Sequence, residues 1–197
     1  MIDNVLNGKN LSISAKITIK SAIGFALIAL SVALPQFVHL IAGAQGGMTW
    51  LPMYLPVLIA GCILGAKYGA VVGVLSPVAS YLLTSAFSNP MPMLARLPFM
   101  MVELAVFGCV SGAFAKYIAK NALMAFPAVL VSEVCGRGVF MLCVLALQNV
   151  STLTPSVVWS QIQTGIVGLF AQAIIVPAIV IALRSLFAKS ASDTKNQ

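Results

Sequence analysis

The run ITIKSAIGFALIALSVALPQFVHL, residues 17–40, carries no Asp, Glu, Lys or Arg after Lys20. An α-helix rising about 1.5 Å per residue needs roughly 20 apolar residues to cross the hydrocarbon of a bilayer, and Ser21 to Leu40 provides such a stretch. Toward the C-terminus, apolar runs at about 53–65, 69–87, 97–115, 122–147 and 158–183 are bounded by charged residues or by Gly and Pro clusters. The pattern predicts an all-α integral membrane protein of six transmembrane helices. Its membrane domain covers 17–184, between an N-terminal segment, 1–16, and a C-terminal tail, 185–197. Composition points the same way, with 60% of the 197 residues hydrophobic and 8% charged, against about 25% charged in an average soluble domain.

The second run is short for a span. Backbone groups facing lipid must be satisfied internally, so this helix has to lean on its neighbours or finish in a loop that lines a cavity. The Gly-rich stretch 41–52, IAGAQGGMTWLP, is the candidate lid.

Basic residues set the orientation. Lys9, Lys16 and Lys20 precede the first run, Lys67 separates the second from the third, Lys116 and Lys120 separate the fourth from the fifth, and Arg184, Lys189 and Lys195 follow the sixth. All of these fall on one side, whereas the opposite loops, 41–52, 88–95 and 149–157, hold no Lys or Arg. Cytoplasmic loops carry the Lys and Arg excess, so both termini are expected in the cytoplasm. The net charge of +7 is thereby explained, and with no clustered basic stripe it does not imply binding to nucleic acid. The first run is too long for a cleavable signal peptide and lacks a cleavage site, so it is expected to stay.

Small residues recur at four-residue spacing: Gly61/Gly65, Gly69/Gly73, Gly108/Gly112, Ala22/Ala26 and Ala29/Ala33. Such pairs let helix backbones approach closely in lipid. For the glycines, packing within the chain is the expectation. The first helix, with Ser21, Ala22, Ala26, Ala29 and Ala33, presents a nearly flat face that suits a helix of another protein as readily as one of its own. Tyr68–Gly73 and Phe107–Gly112 share the form aromatic-Gly-x-Val-x-Gly, but the segments run in opposite directions, which does not fit a parallel duplication. The four cysteines lie in apolar runs without Cys-x-x-Cys spacing and read as packing residues, not metal ligands.

Of the four acidic residues, Asp3 and Asp193 sit in the tails, and Glu103 and Glu133 sit inside spans. With Arg137 in the fifth helix and Arg96 at the outer start of the fourth, they mark a site, because a charge in hydrocarbon costs several kcal/mol unless paired. Arg96 and Glu103 share a helix face about 10 Å apart in depth. Arg137 lies about 15 Å below the outer end of its helix, near the depth of Glu103. Glu133 and Arg137, four residues apart, can form an ion pair in the favourable order, either as a structural pair or as part of a cluster drawn from two helices.

Polar residues of the third and sixth helices, among them Ser76, Ser80, Tyr81, Thr84, Gln161, Gln163 and Gln172, can complete a cavity open to the outside. Trp50, Tyr54, Asn89 and Trp159 lie around the outer ends, with a Met-rich stretch at 91–101. The charged part of the expected ligand-contacting set is Arg96, Glu103, Glu133 and Arg137. Its remaining members are Trp50, Tyr54, Asn89, Tyr81, Trp159 and Gln163. His39, the only histidine, reads as an interface residue. Enzyme chemistry lacks its parts: no Ser with a base, no paired metal ligands, and no Gly-x-x-x-x-Gly-Lys for ATP.

The run Met53–Gly65, MYLPVLIAGCILG, followed by Lys67-Tyr68-Gly69 and Val72-Gly73-x-x-x-Pro77, resembles the substrate-binding S components of energy-coupling-factor vitamin transporters. Pro90-Met91-Pro92 followed by Val102-Glu103-Leu104-Ala105-Val106-Phe107-Gly108 is similar to that family's Pro-rich outer loop and Glu-Leu-Ala-x-aromatic-Gly fourth helix. Tyr54 stands where related sequences often carry His. The resemblance implies a six-helix protein of a prokaryotic cytoplasmic membrane that captures a water-soluble vitamin or precursor at the outer side. It further implies that Ala22, Ala26, Ala29 and Ala33 dock onto a membrane coupling subunit driven by two cytoplasmic ATPases. No cofactor is implied for the chain itself, since the ATP is used by the partners. The alternative is a stand-alone, proton-coupled secondary transporter relaying through Glu103 or Glu133, and a third reading is a ligand-free membrane assembly factor.

Overall fold

The structure, a computed structural model, describes residues 2, 6, 12–88, 90–147 and 153–193. Its helices are α1 (Ile13–Trp50), α2 (Tyr54–Leu64), α3 (Ala66–Ala86), α4 (Leu97–Ala113), α5 (Ala115–Lys120), α6 (Ala125–Leu147) and α7 (Pro155–Asp193), with a 3-10 turn at Ala122–Met124. No strand occurs among the described residues. Five stretches are long and apolar enough to cross a membrane: Ile13–Gly43, Gln45–Leu64, Ala66–Ala86, Ala122–Leu147 and Pro155–Leu186. α4 is also apolar but has 17 residues, about 25 Å of helix. These helices make the chain an all-α protein of multi-pass membrane character.

Two breaks shape the region expected to be a lid. Gly43 has φ 65°, a left-handed conformation that glycine adopts without steric penalty. There the chain reverses, which is why Gly46 lies against Ala42 and Val38, and Gly47 against the His39 ring. In a straight helix residues 39 and 47 would be about 12 Å apart. The returning segment is helical through Trp50, breaks again at Leu51 with φ 48°, and resumes as α2. Residues 41–43 therefore end the first span, 45–52 are the first half of a discontinuous second one, Gln45–Leu64, and the shortness of the 53–65 run has a structural cause.

The break frees backbone groups within the apolar bundle, and they are satisfied locally. Gln172 of α7 donates its amide to the carbonyls of Trp50 at 3.2 Å and Leu51 at 2.9 Å. Gly168, at its closest approach, leaves no room for a side chain between α7 and the Thr49–Trp50 backbone. Irregular backbone is tolerated in a bilayer only where protein or a cavity covers it.

α2 is the centre of the bundle. Its residues are buried on every side except at half-buried Leu55, as suits a helix apolar all round, and α1, α3, α4 and α7 surround it. Val57, Leu58, Ala60 and Cys62 of α2 pack with Leu104 and Phe107 of α4 and Val129 of α6, all fully buried.

The paired glycines pack within the chain except Gly65, which has φ 93°, ends α2 and would meet nothing with a Cβ. Gly69 of α3 lies on the Gly108 backbone of α4, Gly73 on Leu104, and Gly112 on the Gly65–Ala66 backbone, so that a Cβ at any of them would land on the opposing main chain. This antiparallel contact also accounts for the shared aromatic-Gly-x-Val-x-Gly pattern: the two copies are the two faces of one helix crossing. By contrast, Ala22, Ala26, Ala29 and Ala33 on α1 are exposed. The cysteines are free. Cys62 is a buried packing residue, but Cys109 is exposed on the outer face of α4, so packing does not explain it.

Candidate functional site

A cavity of about 310 Å³ opens between the α1, α3, α4, α6 and α7 segments at one end of the bundle. Pro35 and His39 reach it from α1; Met48 and Leu51 come from the returning half-helix. Met53 and Tyr54 open α2 onto it, and Ser80 of α3 contributes one edge. Pro90 to Met93 form the outer wall, with Arg96, Met100 and Glu103 of α4 stepping inward. Arg137, Phe140 and Gln161 close the side made by α6 and α7.

Helix directions place this cavity opposite the basic end. Lys16 and Lys20 lie in the first turns of α1, Lys67 in the first turn of α3, and Lys116 and Lys120 follow α4. Arg184, near the far end of α7, donates to the Lys120 carbonyl at 2.9 Å.

At the cavity floor, three residues from three helices meet. The Tyr54 hydroxyl donates to Glu103 Oε2 at 2.7 Å, and Arg137 Nη1 lies 2.9 Å from Glu103 Oε1. The second contact is a close ion pair without hydrogen-bond alignment, since Oε1 has no hydrogen-bond partner. The Arg137 guanidinium also sits 5.1 Å from the centroid of the Tyr54 ring, within cation–π range. Local packing brings them together: Gly136 admits the Phe107 ring, drawing α6 onto α4, and Phe107 meets Tyr54 edge-on at 5.0 Å. Glu103 is 1% exposed and Arg137 8%. Charges so buried persist only when paired.

Arg137 is incompletely engaged. Its Nε and Nη2, like Gln161 Nε2, are buried without a hydrogen-bond partner. The outer wall is firmer: Ser80 donates to the Met91 carbonyl at 2.8 Å, and the Met91 N–H donates to Thr84 Oγ1 at 2.8 Å. These bonds tie the Pro-rich loop to α3.

The structure gathers Tyr54, Arg96, Glu103 and Arg137 around one cavity. Glu133 is buried one turn from Arg137, but no ion pair joins the two; Arg137 pairs across helices with Glu103 instead, and Glu133 Oε1 has no partner. Trp50 and Trp159 are 48% and 58% exposed and stand outside the cavity lining, Tyr81 is half-buried outside it, and Gln163 is exposed. Asn89 lies outside the described residues. Phe140 and Pro35 line the cavity although nothing about them stood out as polar or costly. The signal was periodicity, since Phe140 is three residues from Arg137, and Pro35 four from His39, on shared helix faces.

The arrangement can enclose a small molecule between a Met- and Pro-rich wall and a floor of buried charge. Compared with family models, with curated proteins and with solved structures, the chain matches none of them.

Proposed function

We propose that the chain captures a small water-soluble micronutrient, a vitamin or vitamin precursor, at the outer face of a prokaryotic cytoplasmic membrane. It delivers this cargo inward as the S component of an ATP-driven energy-coupling-factor importer. On this reading α4 completes a set of six spans, both termini lie in the cytoplasm, and the cavity opens outward. The observation that carries the proposal is the cavity itself. It lies at the lower end of the roughly 300–1,000 Å³ of ligand sites, is mostly apolar, and holds a few convergent polar groups.

Two further features support the reading. Apart from Arg96 and Arg137, the described basic residues gather at the end away from the cavity, as cytoplasmic loops require. The exposed Ala22, Ala26, Ala29 and Ala33 offer a coupling subunit a flat face on α1, while two ATPases bound to that subunit supply the energy.

Native mass spectrometry of the full chain, purified in detergent after growth in rich medium, tests the capture step. The expected result is one small molecule per chain, lost in Arg137→Ala. A wild-type protein that carries nothing and binds no member of a vitamin panel would overturn the proposal.

A further inference from the structure

We infer that the end of the bundle remote from the cavity holds the phosphate of an anionic phospholipid, seated between Arg184 of α7 and the exposed face of α5. This inference rests on the multi-pass membrane character of the chain and is independent of the capture reading.

α5 is too short to span a bilayer: its six residues cover about 9 Å, and it joins α4 to α6. One face is pinned to the bundle, with Ala115 buried and Ile118 fully enclosed in the main core cluster. The opposite face carries Lys116, Tyr117 and Lys120, all exposed. Lys116 and Lys120 are four residues apart and therefore share that face.

The turn that follows, Ala122–Met124, packs on both α5 and α7. Arg184 meets the end of α5 there: its Nη2 donates to the Lys120 carbonyl at 2.9 Å, one of the groups a helix C-terminus leaves without an intrahelical partner. The bond fixes the guanidinium and leaves its other nitrogens available. Arg184 is only half-buried, and its Nε and Nη1 are not enclosed by protein. Among the described side chains no carboxylate competes for these cations, since Glu103 and Glu133 are both buried inside the bundle.

The depth of the three cations matches that of a lipid phosphate. The apolar stretch of α6 begins at Ala122, just after Lys120, and that of α7 ends at Leu186, just after Arg184. Lys116 closely follows the end of α4 at Ala113. All three therefore stand where hydrocarbon gives way to headgroups, a position at which clustered Lys and Arg attract anionic lipids. An apolar stripe leads away from them: Leu123, Phe126 and Leu130 are exposed at helical spacing along the turn and the start of α6. A soluble phosphate would match the cations, but only a molecule with acyl chains also covers the stripe.

Native mass spectrometry of the full chain in micelles, titrated with phosphatidylglycerol or with phosphatidylcholine of the same acyl chains, tests the site. Phosphatidylglycerol should bind at least about tenfold more tightly. Lys116→Gln and Lys120→Gln each remove one exposed cation and should each weaken it about fivefold. Arg184→Gln, which also frees the Lys120 carbonyl, should weaken it more. Lys67→Gln, at the same end but on α3, should change it by less than about twofold. Equal binding of the two lipids overturns the inference. A loss from Lys67→Gln as large as that from Lys120→Gln also overturns it, because the attraction is then diffuse. Displacement of phosphatidylglycerol by an equal concentration of inorganic phosphate assigns the cations to a soluble anion and overturns it as well. Each of these failures leaves cargo capture standing.

Discussion

Removing either charge of the Arg137–Glu103 pair should destabilise the bundle far more than removing both. With charge centres about 4 Å apart and an effective dielectric constant near 20, the Coulomb attraction is about 4 kcal/mol, for a pair whose nitrogen and oxygen lie 2.9 Å apart. Arg137→Met leaves the Glu103 carboxylate buried with only the Tyr54 hydroxyl, and Glu103→Gln leaves the guanidinium buried without its ion-pair partner. Each single change is expected to cost about 3–5 kcal/mol. The double variant leaves neither member of the pair stranded as a lone charge, and the amide oxygen that replaces the carboxylate still accepts from Tyr54, so the coupling energy should reach about 3 kcal/mol. Unfolding in mixed micelles, followed through the fluorescence of Trp50 and Trp159, measures all three. Glu133→Gln serves as the reference, since Glu133 makes no ion pair with Arg137, and its effect should be smaller than that of Glu103→Gln. Costs that add to within about 0.5 kcal/mol, or a larger loss from Glu133→Gln, would refute the assignment of the pair.

Three other outcomes follow from the packing and the breaks. Gly108→Ala puts a Cβ onto the Gly69 backbone and should cost more than about 2 kcal/mol. Gly138→Ala meets nothing within 4 Å and should be neutral or stabilise by up to about 1 kcal/mol, as read in the same unfolding assay. Gln172→Leu removes both hydrogen bonds to the second-span break, at about 1 kcal/mol each, and should speed hydrogen exchange across 45–53 while leaving α3 unchanged. Single cysteines in a chain freed of its own should report topology: Lys67→Cys labelled only from the cytoplasm, Met93→Cys only from outside. The reverse pattern would invert the proposed orientation.

The sequence made the apolar runs legible because a helix in lipid must be apolar over nearly its whole length. The matched depth of Glu103 and Arg137 was also readable, as a count of residues from the helix ends. Which acid Arg137 takes was not, because the i,i+4 spacing of Glu133 is visible in one dimension, whereas the approach of α4 to α6 depends on Gly136 receiving Phe107. The glycine pairs announced close packing, but their register, Gly69 on Gly108, is set by the crossing of two helices far apart in sequence. Residues 41–52 read as a loop from their glycines. Only Gly43 and Leu51 break the helix, and Gly46 and Gly47 are used for close approach. Aromatic residues were ambiguous for a related reason: Trp50 and Trp159 fit both a cavity wall and a membrane-interface belt, and sequence position does not tell which side of the helix faces in.

The most direct test of the account is to give cells the captured compound in isotopically labelled form, with the chain expressed alone or together with a coupling subunit and its two ATPases. The account predicts saturable surface binding without accumulation by the chain alone, and ATP-dependent accumulation only with the partners. Accumulation by the chain alone, driven by a proton gradient, would contradict it.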